Sequence, residues 1–357
     1  MGREQRSAQS RSRWRRHCRD RDGDALFLAY PPADQGSQAA QPRQIRLLET
    51  RFHRRARRDE ARRAQAGRLM DQASPGEALT QEILIRLGDR YASMFVRIWQ
   101  PAGTPRGSVF CLHGFTGNGS DFDYLAAFLC RNGYLVVCPD LLGRGRSAYL
   151  GGGYDINVYY NCLRALGQFA GKENHFIGSS WGGTILLLFL YMTRARATKV
   201  VLNDVPMIGG ANVDHIRSEI IRDSEAQFST RAEAEAYVRA TRSFMGPVEE
   251  SVFSRYVANK IVSGPEGFRL AYDPATTASF GSMTGRDYDL FQIVSKVQAR
   301  FLLMYGRESN FIDRQAIDRT RQVRPDLLVV DNVDAGHPPS LMTLGQALLV
   351  LGFLTTV

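Results

Sequence analysis

Apolar and polar positions follow two regular patterns from residue 81 onward. Residues 83–87 and 94–99 alternate around Gly88-Asp89-Arg90, which predicts an antiparallel hairpin. Farther along, short apolar or β-branched runs that are typical of buried parallel strands alternate with helical stretches. The strand runs lie at 109–112, 135–137, 175–177, 200–203, 301–305 and 327–330, and the helical stretches lie near 121–131, 156–170, 182–195, 313–322 and 340–354. The pattern predicts a doubly wound, mostly parallel α/β sheet with its ligands at the carboxyl ends of the strands.

One connection in this pattern, from about residue 206 to residue 297, is far longer than a single crossover helix. In it, Thr230-Arg231-Ala232-Glu233 is a capping box before an Ala/Glu-rich helix, and apolar residues recur at helical spacing after Gly246-Pro247, as far as Ile261. We therefore expect a helical cap inserted after the sixth strand. Above the carboxyl edge of the sheet it would exclude water and shape a pocket.

The cap segment is rich in aromatic residues and methionines. If these side chains line the pocket, they favour an apolar substrate. For any single one of them, however, we expect that it packs the cap helices against one another. The residues are Met207, Phe228, Tyr237, Phe244, Met245, Phe253, Phe280 and Met283.

The charge distribution divides the chain into a tail and a body. Residues 1–75 hold 18 arginines and 9 acidic residues, so they carry almost all of the net charge of +10. Because they lack sustained apolar periodicity, we expect a basic, disordered tail. The arginines are not interleaved with aromatic residues, which favours a solvated flank without a nucleic-acid partner. The remainder is then a core at 76–205 and 298–357 and a helical cap at 206–297.

The overall composition is that of an ordinary globular protein, with 357 residues of which 44% are apolar. No apolar run reaches the roughly 20 residues of a membrane span, and no long apolar core follows the basic N-terminus. We therefore expect a cytoplasmic protein without a membrane partner. The five cysteines are odd in number and lack C-x-x-C spacing, which favours buried thiols over disulfides or a zinc site. The oligomeric state stays open, a homo-oligomer included.

Three short motifs each follow a predicted strand. Residues 178–182 read Gly-Ser-Ser-Trp-Gly and match the G-x-S-x-G nucleophile elbow, a sharp strand-to-helix turn that exposes the central serine hydroxyl. The other two are His113-Gly114-Phe115 and Gly336-His337. We expect Ser180 to be the nucleophile and His337 its general base. The backbone N–H groups of Phe115 and Trp181 are expected to form an oxyanion hole.

Together these motifs make the chain resemble the capped α/β-hydrolase superfamily, which includes esterases, carbon-carbon bond hydrolases and acyltransferases. The resemblance covers residues from about 80 to 357 and implies the α/β-hydrolase fold. Serine at the elbow argues against epoxide hydrolases and haloalkane dehalogenases, for which the resemblance implies a carboxylate nucleophile. Asp140 and Arg144 are expected to be structural loop residues. The motifs are LHGFTGN at 112–118, PDLLGRGRS at 139–147, GSSWGG at 178–183, ND at 203–204, YDP at 272–274 and GHPP at 336–339.

The acid of a catalytic triad is not obvious. The resemblance implies an aspartate shortly after the seventh strand, but Ser309 and Asn310 occupy the expected places. Three possibilities stay open: Asp204 at the end of the sixth strand supplies the carboxylate, Asn310 orients His337, or the acid has been lost. Asp204 is preferred because an amide cannot stabilise an imidazolium as a carboxylate does. Glu308 and Asp313 are further candidates for the acid, and Asp334 in the histidine loop is a poorer one.

The expected function is hydrolysis of a small-molecule substrate, an ester, thioester or lactone of a small, largely apolar acid, through an acyl-enzyme. This chemistry needs no metal and no organic cofactor. A carbon-carbon bond hydrolase would use the same Ser180–His337 pair, and the sequence does not separate the two activities. An alternative of another class is a non-catalytic ligand-binding protein that has lost its acid.

Overall fold

An eight-stranded sheet forms the centre of the described structure. The computed structural model describes residues 78–207, 213–279, 289–312, 314–332 and 334–356; the predicted tail and Asp313 lie outside these ranges. Eight strands belong to this sheet: β1 (Ala78–Leu87), β2 (Arg90–Trp99), β3 (Ser108–Leu112), β4 (Leu135–Pro139), β5 (Asn174–Ser179), β6 (Lys199–Asn203), β10 (Arg300–Gly306) and β11 (Leu328–Asn332). Three more form a small separate sheet: β7 (Gln227–Phe228), β8 (Ile261–Gly264) and β9 (Gly267–Leu270).

The large sheet is mostly parallel, with the strand order β1-β2-β4-β3-β5-β6-β10-β11. β1 and β2 form the predicted antiparallel hairpin, β2 also pairs antiparallel with β4, and the other neighbours are parallel. The carboxyl ends of the parallel strands therefore lie along one edge of the sheet. The prediction of a doubly wound, mostly parallel sheet is confirmed.

Helices cover both faces of the sheet. The side chains of the central strands alternate between two apolar clusters. Phe110 and Phe176 stack in one cluster, with ring centroids 5.1 Å apart, whereas Val109 and Ile177 lie in the other. No helix in the described ranges is long and apolar enough to cross a membrane. The helices are α1 (Asp123–Arg131), α2 (Ile156–Ala165), α3 (Trp181–Thr193), α4 (Val213–Glu225), α5 (Arg231–Thr241), α6 (Glu250–Ala258), α7 (Leu290–Lys296), α8 (Arg314–Val323) and α9 (Leu344–Thr355).

The chain between β6 and β10 contains α4 to α7 and the small sheet β7-β9-β8. The predicted capping box is present, because Thr230 accepts from the Glu233 backbone and the Glu233 carboxylate accepts from the Thr230 backbone. Residues from α5, α6, β8 and β9 share an apolar cluster, which contains Ala234, Val257 and Leu270 and also takes in Met342 before α9. We refer to residues 213–279 as the insertion; the outer limits of the cap domain, 206 and 297, stay a prediction.

The insertion is not purely helical, which corrects the expectation of a helical cap. Ile261 does not continue the helical repeat: α6 ends at Ala258, and Ile261 begins β8. β8 and β9 form a tight hairpin, with Gly264 opposite Gly267. Gly267 has φ +115°, and a Cβ there would collide with the backbone of Phe228 in β7, so glycine permits both the turn and the third strand.

Polar contacts attach the insertion to the loop after β3. Lys260, beside the end of α6, forms a buried ion pair with Asp121. Next to it, the Asn118 side-chain amide donates to the backbone carbonyl of Asn259 at 2.9 Å. Since that loop leads from Phe115 to α1, the insertion and the predicted oxyanion loop are held together.

The described cysteines are buried free thiols, as expected. They are Cys111, Cys130, Cys138 and Cys162. Burial raises the pKa of the Cys162 thiol to about 12. A thiol of that pKa is protonated at neutral pH and therefore a poor nucleophile.

Candidate active site

Ser180 stands on a strained turn between β5 and α3. Its φ is +49° and its ψ is −124°, a conformation that a non-glycine residue rarely adopts. The glycines around it permit the close packing of this turn: a Cβ at Gly178 would collide with Gly183, and one at Gly182 would collide with the Leu112 carbonyl in β3. The elbow therefore depends on small residues on both sides of the serine.

His337 lies beside Ser180, in the loop between β11 and α9. Its Nε2 is 2.8 Å from the Ser180 Oγ. The Phe311 ring packs against the imidazole, with centroids 3.9 Å apart. The preceding residue, Gly336, donates its backbone N–H to the Phe244 carbonyl of the insertion at 2.7 Å. The insertion thus helps to hold the loop that carries His337.

Asp204 follows β6 and faces the other side of the imidazole. Its Oδ1 is 3.2 Å from His337 Nδ1, within ion-pair distance, although no well-aligned hydrogen bond joins the two atoms. Such contacts commonly tighten only when substrate is bound. The carboxylate is fully buried and accepts from the Ser309 hydroxyl at 2.8 Å and from the Gly306 N–H at 3.1 Å.

The other candidate acids occupy different environments. Glu308 and Asn310 are exposed and line the same cavity as Ser180, whereas Asp334 is exposed in the loop before His337. Asp313 lies outside the described residues. Of the described carboxylates, Asp204 is the one that lies within ion-pair distance of His337. Asp204 follows β6 rather than β10, and its role as the triad acid stays a prediction.

Phe115 and Trp181 meet beside the nucleophile. Their rings pack edge to face, with centroids 5.3 Å apart, and both side chains are buried. A Cβ at Gly114 would lie 3.7 Å from the Ser180 Cβ, so the loop that carries Phe115 approaches the serine closely. Trp181 is the first residue of α3, where a backbone N–H has no partner within the helix and the helix dipole favours negative charge.

His113 supports this loop, although the sequence interpretation quoted it in a motif without a role. The Leu141 N–H donates to its Nε2 at 3.0 Å, so the proton resides on Nδ1, which donates to the Gly114 carbonyl at 2.7 Å. Burial holds the pKa of His113 well below its usual value. A neutral imidazole of fixed tautomer therefore positions the backbone ahead of Phe115.

Arg144 is a second supporting residue, and its contacts extend the structural loop role expected from the sequence. It is fully buried, and its Nε donates to the Phe115 carbonyl at 2.8 Å. Its guanidinium lies over the rings of Phe115, Tyr159 and Trp181, at 4.7, 5.5 and 5.3 Å from their centroids. In the sequence, the feature that marks Arg144 is its position between two glycines, Gly143 and Gly145. Arg144 thus links both predicted oxyanion residues.

The site opens into a cavity of about 550 Å³ between the sheet edge and the insertion. Its wall on the insertion side carries a buried ion pair between Arg242 and Asp223, and Asp223 also accepts from the Tyr237 hydroxyl at 2.6 Å. Among the described residues, no group of three or more His, Cys, Asp and Glu side chains is arranged to hold a metal ion. The cavity therefore offers charged as well as apolar partners to a ligand.

The aromatic residues and methionines of the predicted cap divide between the cavity and the protein core. Phe244 and Met245 line the cavity. Met207 lies in the core of the large sheet, and Phe228, Tyr237 and Phe253 pack with the apolar cluster of the insertion. Phe280 and Met283 lie outside the described residues. Most of the described members hold the fold together, as expected for any single one of them.

The sequence of this chain matches one protein family and is similar to several known proteins. A sequence profile of the Alpha/beta hydrolase family matches residues 109–346. The 3-hydroxybutyrate-oligomer hydrolase of Cupriavidus necator is 27% identical over 270 residues, which cover 72% of this chain and 91% of that protein. The bifunctional esterase/perhydrolase of Acinetobacter calcoaceticus is 26% identical over 147 residues, 39% of this chain and 52% of that protein.

Solved structures agree in fold. An alpha/beta hydrolase from Novosphingobium aromaticivorans superposes with a TM-score of 0.66 and 24% identity, covering 79% of this chain and 99% of that one. The thioesterase domain from the curacin biosynthetic pathway gives a TM-score of 0.61 at 19% identity, over 78% of this chain and 100% of that one. With the profile match across most of the described sheet, these likenesses lead to one conclusion: the chain belongs to the alpha/beta hydrolase family and is a hydrolase.

Proposed function

We propose that this hydrolase is a serine esterase in which Ser180, His337 and Asp204 act as a catalytic triad. The observation that carries the proposal is the run of contacts from Ser180 Oγ to His337 Nε2, 2.8 Å, and from His337 Nδ1 to Asp204 Oδ1, 3.2 Å. A serine hydroxyl is a weak nucleophile until a neighbouring base accepts its proton. A buried carboxylate on the far side of the imidazole stabilises the imidazolium that results.

In the first half of the reaction, Ser180 Oγ forms a bond to the ester carbonyl carbon while its proton passes to His337 Nε2. The carbonyl oxygen takes up the negative charge and receives hydrogen bonds from the backbone N–H groups of Phe115 and Trp181. Collapse of this intermediate breaks the bond to the alcohol, whose oxygen takes the proton from Nε2. An acyl-enzyme on Ser180 and a free alcohol remain.

In the second half, a water molecule gives a proton to His337 Nε2 as its oxygen bonds to the acyl carbon. The new tetrahedral intermediate again places its charge on the oxygen that faces Phe115 and Trp181. Collapse returns the proton to Ser180 Oγ and releases the acid. Asp204 keeps the imidazole oriented in both halves and stays ionised throughout.

The substrate class that we propose to test first is a short ester of hydroxy acids. Two observations support it over a wholly apolar ester: the likeness to a 3-hydroxybutyrate-oligomer hydrolase over 91% of that protein, and the charged Arg242–Asp223 pair in the cavity wall. Oligomers of this kind carry ester carbonyls and free hydroxyl and carboxyl ends, which need polar partners once they leave water. Thioesters and lactones share the chemistry at Ser180.

A substrate panel tests this proposal. We expect multiple turnover of 3-hydroxybutyrate dimer and trimer and of p-nitrophenyl butyrate by the purified chain, with a burst of p-nitrophenol that reports the acyl-enzyme. Ser180→Ala should abolish both signals. Turnover of a vinylogous 1,5-diketone without ester turnover would instead favour carbon-carbon bond hydrolysis. Binding of these compounds by the wild type without any turnover would favour the non-catalytic alternative.

A further inference from the structure

Ser309 lies outside the proposed triad but contacts its carboxylate. It lies just after β10, and its hydroxyl donates to Asp204 Oδ1 at 2.8 Å. That same oxygen faces His337 Nδ1 at 3.2 Å. One carboxylate oxygen is therefore shared between a neutral donor on one side and the proposed general base on the other.

The direction of this hydroxyl is determined by its neighbours. The Phe311 N–H donates to Ser309 Oγ at 3.2 Å, so one lone pair of that oxygen is occupied and its proton is left to point at Asp204. The Ser309 backbone is held in turn, because its N–H donates to the Gly306 carbonyl at 3.0 Å. Ser309 is therefore a fixed donor rather than a freely rotating hydroxyl.

A carboxylate in this environment depends on its donors. Asp204 is fully buried, and its described donors besides His337 are the Ser309 hydroxyl and the Gly306 N–H. Hydrogen bonds to a charged group are shorter and stronger than those between neutral groups. Gly306 holds Oδ2, whereas Ser309 holds Oδ1 and so determines where the oxygen nearest His337 can lie.

We propose that Ser309 is a positioning residue that acts through Asp204. The inference rests on the proposed triad. It goes beyond that triad because it predicts that Ser309 and Asp204 are coupled.

The first test uses the rate constant for covalent labelling of Ser180 by a fluorophosphonate, which needs no knowledge of the natural substrate. We expect Ser309→Ala to slow labelling roughly tenfold and Ser309→Thr, which keeps a hydroxyl, to restore most of the rate. Ser108→Ala is the matched control, since this buried serine also donates one hydrogen bond, to the Phe169 carbonyl, far from the site. It should label at the wild-type rate.

Coupling to Asp204 separates a positioning role from a structural one. If Ser309 acts through Asp204, the Ser309→Ala change should cost less than twofold in an Asp204→Asn background, although it costs about tenfold in the wild type. The same loss in both backgrounds, or a wild-type rate for Ser309→Ala alone, would overturn the inference. Failure of the proposed function looks different, because the wild type itself would then resist labelling.

Discussion

At the scale of single residues, the site depends on two strained positions next to each other. Ser180 and Asp204 both have positive φ, +49° and +54°, at the ends of the adjacent strands β5 and β6. Non-glycine residues in this region cost free energy and persist only where surrounding contacts hold them. Here those contacts are the glycines of the elbow for Ser180 and the donors around its carboxylate for Asp204.

Asp204→Asn should lower kcat for ester hydrolysis by roughly 10³- to 10⁴-fold with little change in KM, since an amide no longer stabilises the imidazolium. Steady-state kinetics with p-nitrophenyl butyrate measures this loss. Asp334→Asn is the control, because this carboxylate is exposed and lies outside the cavity wall. A loss of less than tenfold in Asp204→Asn would exclude Asp204 as the triad acid.

The sequence points to candidate residues of the site where the signal is local. Ser180, His337 and Phe115 stand in short motifs that follow predicted strands, and those motifs need no knowledge of distant contacts. The contact between Asp204 and Ser309 joins the ends of two strands that are 105 residues apart. Which of the candidate acids lies beside His337 therefore depended on the pairing of β6 with β10, which no local pattern encodes.

At the scale of elements, the insertion supports the catalytic loop. The short helical turn Ser243–Met245 hydrogen-bonds to both sides of His337, through Gly336 N–H to the Phe244 carbonyl and Ser340 N–H to the Met245 carbonyl. The distances are 2.7 and 3.2 Å. A change in this turn should therefore be felt at His337, even though the turn contributes no side chain to the proposed chemistry.

Gly246→Ala tests that link. Gly246 has φ +92°, and a Cβ there would lie 2.8 Å from the Asp334 carbonyl, so the turn must shift away from the loop of His337. We expect at least a tenfold lower kcat and a lower melting temperature. Gly352→Ala is the control, because a Cβ in that exposed part of α9 meets nothing within 4 Å and should raise stability by up to about 1 kcal/mol. Equal activity of the two variants would contradict the link.

The elements of the core were easier to predict than those of the insertion. A core strand such as β4 is a continuous apolar run because both of its faces are buried. In the insertion, Ile261 matches the spacing of the preceding helix by chance, although α6 ends at Ala258 and Ile261 begins the β8–β9 hairpin. The hairpin is stabilised by pairing with β7, a contact that helical periodicity cannot reveal.

At the scale of the whole molecule, the ion pair between Lys260 and Asp121 joins the insertion to the core. Both side chains are largely buried, 7% and 20% exposed. Removing one partner leaves an unpaired buried charge, so Lys260→Met should lower the free energy of unfolding by about 3 kcal/mol. Adding Asp121→Asn should recover much of that loss. Urea denaturation measures both, and a neutral Lys260→Met would contradict a stabilising connection.

Acid should destabilise the fold through His175 in β5. Burial, and then the charge of Lys199, lower its pKa to about 4. Because the unfolded state binds a proton near pH 6.5 and the folded state does not, stability is lost as pH falls from 6.5 toward 4. This histidine contributes up to about 2 kcal/mol of the loss between pH 7 and pH 5. His175→Gln should reduce that pH dependence in urea denaturation; an unchanged slope would contradict it.

The intact mass of the protein after treatment with a fluorophosphonate shows most directly whether Ser180 is an activated nucleophile. Activation requires His337 at hydrogen-bond distance, so the wild type should gain the mass of one adduct per chain. Folded Ser180→Ala should gain none. An unlabelled wild type with a native circular dichroism spectrum, or an adduct that persists in Ser180→Ala, would contradict the account.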